Sequence, residues 1–479
     1  MSETHWNFIG GEWVAGEGAS RNVNPSDTDD VIGLYAQASA AQLDAAVAAA
    51  RAAFPAWSRA TPLVRHDALM HVSAGIAARH DELADLLARE EGKTLAEARL
   101  EATRASQIFA FFAAEALRVP GDRFASVRPG VEVEVTREGV GVVGIISPWN
   151  YPLQIPAWKI APALAYGDAV VFKPADLATA SAHALAQIVA GAGLPDGVFN
   201  LVMGRGGTVG QALLDHPKVD AVTFTGSVDT GRKVAAACAA RMRKFQLEMG
   251  GKNPLIVLDD ADLKTAVECA VNGAFFSTGQ RCTASSRLIV AEGIYNSFAE
   301  ALAERIRGLT IDDARKTGTD IGPVVDQTQL DQDFAYVKIG KDEGAKLKLG
   351  GERLNRATPG YYMAPALFVD ADNAMRIARE EIFGPVAAVI PARDYEHALA
   401  IANDTDFGLC GGIVTTSLKY AQHFKRNAEV GMAMVNLPTA GVDFHAPFGG
   451  RKASSLGSRE QGRYAVEFYT TVKTAYSPA

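Results

Sequence analysis

Cys282 stands in the stretch FSTGQRCTASS (276–286), among Thr278, Gly279, Gln280, Thr283, Ala284 and Ser285. Small polar neighbours and a glycine three residues upstream predict a turn whose exposed backbone N–H groups could hold a thiolate. The alternative is an inert, half-buried thiol, the ordinary state of a free cysteine. Two further positions offer the remainder of a nucleophilic site. Glu248 ends the run KFQLE (244–248) just before Gly250-Gly251, where a carboxylate in a partly apolar pocket could act as base toward water. Asn150, behind Pro148-Trp149, offers amide donors for an oxyanion. Lys173 ends AVVFK (169–173), where a buried ammonium needs an anion or hydroxyl groups. Glu381, in EEIFGP (380–385), falls at a strand-to-loop junction and suits hydroxyl groups of a ligand. Singly, each of these residues is as readily a helix cap or a surface group.

The elements between them supply the context. Residues 6–36 read as a short strand pair, and 40–54, 62–92 and 95–118 as helices rich in Ala, Leu, Arg and Glu. In the last of these, Arg104, Ile108, Phe111 and Glu115 share a face. From 141 the chain alternates β-rich runs (141–147, 169–173, 199–202, 221–224, 244–248) with helices, the pattern of a doubly wound parallel α/β sheet. Ligands of such sheets bind beyond the carboxyl ends of the strands, and the candidate residues cluster there. A second α/β series begins at 254 and runs to about 436, with a boundary near Gly250-Gly251. VEVEVTR (131–137) alternates apolar and polar residues, and 466–476 reads as a strand able to pair with it.

A parallel sheet of this kind suggests a nucleotide, although no GxGxxG follows its first strand. The phosphate-binding candidates are FTGSVDTG (224–231) and MGRGGTVG (203–210), glycine-rich turns that open helices. Asp176, three residues beyond Lys173, could accept from an adenosine ribose and would repel a 2′-phosphate, favouring NAD over NADP.

The bulk composition narrows the classes. The chain of 479 residues implies more than one core, and a net charge of −8 gives no basic footprint for nucleic acid or an anionic membrane. Four cysteines make no disulfide framework, and the nine histidines carry no metal-site spacing, so no metal is expected. The start MSETHWNFIGGEW lacks a basic, apolar leader, and prolines with Lys159 and Asp168 interrupt the most apolar region, 139–175, so a reducing cytoplasm is expected.

Seven motifs, PWNYP (148–152), FKP (172–174), FTGS (224–227), LEMGGKNP (247–254), GQRC (279–282), EEIFGPV (380–386) and PFGGRKASS (447–455), together with GGEW (10–13), resemble the aldehyde dehydrogenase superfamily over nearly the whole chain. The resemblance implies Cys282 as nucleophile, Glu248 as general base, Asn150 as oxyanion donor and Lys159 near the active centre. It implies that Lys173 binds the adenosine ribose and that Glu381 with Phe383 binds the nicotinamide ribose. Gly226 and Ser227 would lie near the pyrophosphate and Trp149 beside the cofactor. Ile146, Ser147, Pro148, Ala175, Gly206, Phe224 and Met249 complete the expected cofactor contacts. Two departures stand out: Asp176 where the family often has Glu, and Met249 where Leu is commoner.

The implied architecture is a dinucleotide-binding domain (1–118 and 139–250), a catalytic domain (251–452) and an oligomerisation arm with the C-terminal strand (119–138 and 453–479). The arm implies a homodimer or homotetramer. The implied reaction oxidises an aldehyde through a thiohemiacetal and a thioester. Members that pass the acyl group to coenzyme A typically lack the glutamate at Glu248, so hydrolysis to a carboxylate is expected. For the substrate, FKPADL, NLPTAGVDFH and REQGRY resemble 2-oxoglutarate semialdehyde dehydrogenases, with succinate semialdehyde another candidate of the same kind. Arg104, or Arg281, could hold a distal carboxylate, or Arg104 could form a structural ion pair. Phe111, Trp158, Phe276 and Phe448 suit instead a broad aliphatic or aromatic aldehyde dehydrogenase. A non-catalytic dinucleotide-binding protein would be expected to lose Cys282, Glu248 or Asn150, and all three are present.

Overall fold

The structure, a computed structural model, describes residues 4–479. Its first sheet has eight strands in the order Ser455–Leu456, Lys244–Glu248, Ala221–Thr225, Val142–Ile146, Ala169–Lys173, Phe199–Leu201, Asn7–Ile9 and Glu12–Val14. The five from Lys244–Glu248 to Phe199–Leu201 are mutually parallel, and the edges are antiparallel. Val170, Val171 and Phe172 are fully buried in succession, because helices cover both faces of a parallel sheet and leave no wet side for alternation. The chain steps outward from Val142–Ile146 through the next two strands, then returns to the other flank at Ala221–Thr225. That reversal opens a crevice at the carboxyl ends of Val142–Ile146 and Ala221–Thr225.

The second sheet has seven strands, Lys346–Leu349, Ala366–Val369, Val386–Ala392, Arg287–Ala291, Pro254–Val257, Cys410–Val414 and Met432–Val435 in spatial order. All are parallel except Lys346–Leu349. A third sheet pairs Thr470–Pro478 with Val131–Gly139 and that strand with Asp122–Ala125, all antiparallel. Residues 4–37 contribute the first sheet's Asn7–Ile9 and Glu12–Val14 and a separate sheet of Thr4–His5, Asp27–Gln37 and Gly18–Asn24. Among the described residues, no helix is long and apolar enough to cross a membrane.

Four sequence expectations need correction. Residues 6–36, read as one strand pair, form strands in two sheets: Asn7–Ile9 with Glu12–Val14, and Gly18–Asn24 with Asp27–Gln37. The helix over 62–92 is two, Pro62–Ala78 and His80–Glu91, broken at Arg79, whose guanidinium donates to Glu82 and Gln187. No Pro or Gly marks that break. The C-terminal strand starts at Thr470, because Val466–Tyr469 is a helical turn that buries both Phe468 and Tyr469. Residues 455–456 extend the first sheet beside Glu248 and so lie outside the arm. The strands Lys346–Leu349 and Ala366–Val369 had no counterpart in the sequence reading.

Phe172 sits in the middle of the first sheet with no exposed surface. We predict that Phe172→Ala lowers the unfolding free energy by about 3–5 kcal/mol. Denaturant unfolding measures this, and a loss below about 1 kcal/mol would contradict the packing described.

Candidate active site

The helix Leu263–Ala274 ends just before the segment that carries Cys282, and Ser277, Thr278 and Gly279 then adopt φ values of 52°, 56° and 68°. A glycine is required at 279, where a Cβ would come within 2.3 Å of the Gly384 carbonyl oxygen. Left-handed Ser277 and Thr278 cost free energy and persist only because neighbours hold them. Glu97 Oε1 accepts from the Ser277 N–H (2.7 Å) and Oγ (2.8 Å), and Thr278 Oγ1 donates to the Gly322 carbonyl (3.2 Å). The Val325 N–H donates to Gln280 Oε1 (2.9 Å), and Asn150 Nδ2 to the Gln280 carbonyl (2.9 Å). Beyond the turn, Asn253 Nδ2 donates to the carbonyls of Cys282 (2.7 Å) and Ala284 (2.9 Å).

Cys282 is half-buried at the floor of a cavity of about 320 Å³. Leu100, Ile155, Trp158, Phe276, Val442 and Phe448 supply its apolar wall, and Glu97, Glu101, Arg104, Gln154 and Arg281 its polar positions. Burial pushes the Cys282 thiol up to about 12, and the carboxylates of Glu381 and Glu248 push the same way. The backbone N–H groups of Cys282 and Thr283 oppose them by favouring the thiolate, the role expected of this turn.

Glu248 is buried, with its carboxyl raised well above the usual range by desolvation and by the neighbouring Glu460 charge. Ser455 Oγ donates to its Oε2 (2.5 Å), while Oε1 has no hydrogen-bond partner. A base with one oxygen anchored and the other free can take a proton from water. Lys159 lies off the cavity wall: its ammonium contacts Glu460 and donates to Thr223 Oγ1 (2.8 Å). It acts on Glu248 only through charge, lowering that carboxyl's pKa.

The strand register brings the cofactor candidates into one row. Lys173 pairs with Ile146, Ile146 with Phe224, and Thr225 with Glu248. At this row the Ser147 and Thr225 hydroxyls are buried without partners. Lys173 Nζ donates to Asp176 Oδ1 (3.2 Å), with Ala175 between them in sequence. A Cβ on Gly226 would strike the Phe224 ring at 2.6 Å, and one on Gly231 would strike Met249 Sδ at 2.2 Å. Ser227 caps the helix Val228–Ala239, accepting from the Thr230 N–H.

From the second sheet, Glu381 Oε1 accepts from the Gly251 N–H (3.0 Å), and burial pushes its carboxyl up to about 7. Phe383, at φ 64°, meets the Trp149 ring edge-on at 5.4 Å, next to Pro148 in the chain. Gly206 lies outside this row, heading the turn Gly206–Gly210 beyond Phe199–Leu201.

Two of the expected substrate residues differ from the sequence reading. Phe111 is absent from the cavity wall; two helical turns beyond Arg104, it packs edge-on against Phe444 at 6.0 Å. Arg281 lines the cavity, but its guanidinium donates to the carbonyls of Phe276 (3.0 Å) and Asn272 (2.6 Å). Arg104 lines the same wall, and no ion pair or hydrogen bond of its guanidinium is found among the described residues. Trp158 and Phe448 flank the floor with their rings 5.0 Å apart.

Sequence reasoning missed Glu97, Glu101 and Lys93, which hold the two loops, and Ser455, which anchors Glu248. Glu97, Glu101 and Arg104 recur at helical spacing, a pattern that reads equally as a solvated face.

We predict that Glu381→Gln, by removing a negative charge, lowers the Cys282 pKa, so that iodoacetamide alkylation quickens severalfold in the alkaline range. A rate–pH profile identical to wild type would contradict the charge coupling. We further predict that Gly279→Ala costs about 10²-fold in kcat by displacing the turn against Gly384. Steady-state kinetics check this, and undiminished turnover would exclude the close contact.

The aldehyde dehydrogenase family model matches residues 13–475. Alpha-ketoglutaric semialdehyde dehydrogenase of Bacillus subtilis (strain 168) is 45% identical, covering 99% of this chain and 98% of that protein. 2,5-Dioxopentanoate dehydrogenase of Saccharolobus solfataricus is 38% identical, covering 97% of this chain and 98% of that protein. A betaine aldehyde dehydrogenase from Staphylococcus aureus, crystallised in complex with NAD+, superposes with a TM-score of 0.97 at 33% identity, covering 99% of this chain and 95% of that one. The family model over residues 13–475 and the 45% identity to the Bacillus protein show that this chain belongs to the aldehyde dehydrogenase family.

Proposed function

We propose that the protein oxidises a semialdehyde bearing a distal carboxylate, 2-oxoglutarate semialdehyde, to the dicarboxylate with NAD as hydride acceptor. The observation that carries the choice of substrate is Arg104, a guanidinium without a protein partner among the described residues, on the wall of the cavity that ends at Cys282. A carboxylate there would complete a charge-assisted pair. The names of the Bacillus and Saccharolobus relatives support the same substrate. The aromatic faces of Trp158, Phe276 and Phe448 suit the methylene chain, and they would equally suit a broad range of uncharged aldehydes.

The strand-end crevice fits NAD. Its buried Ser147 and Thr225 hydroxyls lack partners, and Lys173, Glu381 and the Ser227 helix start face the same end of the sheet. Lys173 and Asp176 would hold the adenosine ribose, Gly226 and Ser227 the pyrophosphate, and Glu381 with Phe383 and Trp149 the nicotinamide ribose. When bound, NAD supplies the acceptor for the hydride. Asp176, two-fifths exposed beside Lys173, leaves a negative charge where a 2′-phosphate would sit.

The Cys282 thiolate adds to the aldehyde carbon, and Asn150 Nδ2 with the Cys282 N–H receives the oxyanion. Loss of hydride from that carbon leaves a thioester on Sγ. Glu248 takes a proton from water through its free Oε1, the hydroxide adds to the thioester carbon, and the C–S bond breaks to return the thiolate and release the acid.

The arm leaves Phe124, Val472 and Tyr476 more than half exposed, which supports its burial against a second copy in a dimer or tetramer. A working thiol among four free cysteines suits a reducing cytoplasm.

The test compares kcat/KM for 2-oxoglutarate semialdehyde and for pentanal in wild type and Arg104→Ala. We expect a loss of about 10²-fold for the semialdehyde and less than about threefold for pentanal. Equal losses would refute the carboxylate contact and favour the broad-specificity reading. Asp176→Ser is expected to raise kcat/KM for NADP relative to NAD, and an unchanged ratio would remove Asp176 from cofactor choice.

A further inference from the structure

The helix Leu95–Ala116 carries two buried or half-buried carboxylates one turn apart, and each grips a different catalytic loop. Glu97 accepts from Ser277 in the turn before Cys282 through Oε1, and from the Thr94 N–H (3.0 Å) and Oγ1 (2.9 Å) through Oε2. Glu101, fully buried, accepts through Oε1 from the N–H groups of Leu153 (2.9 Å) and Gln154 (3.1 Å). Its Oε2 accepts from Lys93 Nζ (2.5 Å), which also donates to the backbone carbonyl of Asn150 (2.7 Å) and lies 3.8 Å from the Tyr151 ring centroid. The segment 150–154 is thus clamped at both ends by one buried ion pair. Such a pair adds little stability over apolar residues of the same volume, so its retention points to a task of orientation.

We propose that Glu97, and Glu101 with Lys93, are positioning residues. One helix face thereby fixes the nucleophile loop and the oxyanion loop relative to each other. The proposal rests on the roles given above to Cys282 and Asn150. Gln at 101 has one carbonyl oxygen and cannot accept both from Lys93 and from the 153–154 N–H groups, so Glu101→Gln loosens Asn150, while the Cys282 turn, which also leans on Asn150 through the Gln280 carbonyl, keeps its holds on Glu97, Gly322 and Val325. Glu97→Ala frees the Cys282 turn, and Glu97→Gln, which keeps an acceptor for Ser277, restores it.

The experiment reads two rates in the full-length enzyme. One is the pre-steady-state burst of NADH with pentanal, chosen so that the outcome does not depend on the carboxylate preference. The other is alkylation of Cys282 by iodoacetamide, which needs the thiol and no oxyanion donor. Glu101→Gln is expected to slow the burst about tenfold or more and to leave alkylation within about twofold of wild type. Glu97→Ala is expected to change both, with Glu97→Gln close to wild type. On an Asn150→Ala background, Glu101→Gln should cause no further loss of burst, because the group it positions is gone.

Additive losses in that double variant, or burst and alkylation falling together in Glu101→Gln, would overturn the proposal. If Glu101→Gln does not fold, Glu91→Gln/Lys93→Met/Glu101→Met removes the buried ammonium together with both carboxylates paired to it and is read by the same criteria. A wild-type burst in Asn150→Ala would remove Asn150 from the mechanism instead, and the Glu97 variants would still decide the nucleophile half.

Discussion

The left-handed turn from Ser277 to Gly279 is the constraint on which the site depends. Three successive residues in that region of φ aim the Cys282 segment back toward the first sheet. Within the turn the Gln280 N–H donates to the Ser277 carbonyl (2.9 Å), one bond for three left-handed residues. The turn is held from four directions: Glu97 on Ser277, Gly322 under Thr278, Val325 on Gln280 and Asn150 on the Gln280 carbonyl. These partners come from well-separated parts of the chain. The Cys282 turn therefore depends on segments distant in the chain, and its strain is offset by contacts that no single element could supply.

Electrostatics at the same point run against the chemistry in the resting protein. Burial and two carboxylates disfavour the thiolate, and only two backbone N–H groups favour it. The buried carboxylates are themselves raised, Glu248 by desolvation and Glu460, and Glu381 by desolvation against the pull of the Gly251 N–H and of Lys252. Such mutual opposition disfavours the charged forms of the thiol and of both carboxyls. Ser455 fixes one oxygen of Glu248 and leaves the other open. Lys159 neutralises Glu460 behind it, which limits how far the base is raised.

Much of this was legible from residue types. The five parallel strands of the first sheet showed as short β-rich runs between helices, because a sheet covered on both faces reads as continuous apolar sequence. Strict alternation marked 131–137 as a strand, and its pairing with the C-terminal strand was one of the arrangements open to it. Cys282, Glu248, Asn150 and Glu381 stood out as candidates because each lies within three residues of a glycine or proline near an element's end. What stayed hidden depends on partners distant in sequence. Arg79 breaks a helix without Pro or Gly, Phe111 turns away from the cavity although it shares Arg104's face, and Arg281 donates to the Phe276 carbonyl and to the Asn272 carbonyl of the preceding helix. Lys93 and Glu101 look like surface charges in sequence and are buried only because segment 150–154 folds over them.

The central claim is that Cys282 carries a thioester that Glu248 helps to hydrolyse. The direct measurement is mass spectrometry of Glu248→Gln quenched after mixing with NAD and 2-oxoglutarate semialdehyde. An adduct with the mass of the acyl group on the Cys282 peptide, formed with about one NADH per active site before slow turnover, is the result this structure requires. An unmodified Cys282 peptide together with wild-type steady-state turnover would contradict it.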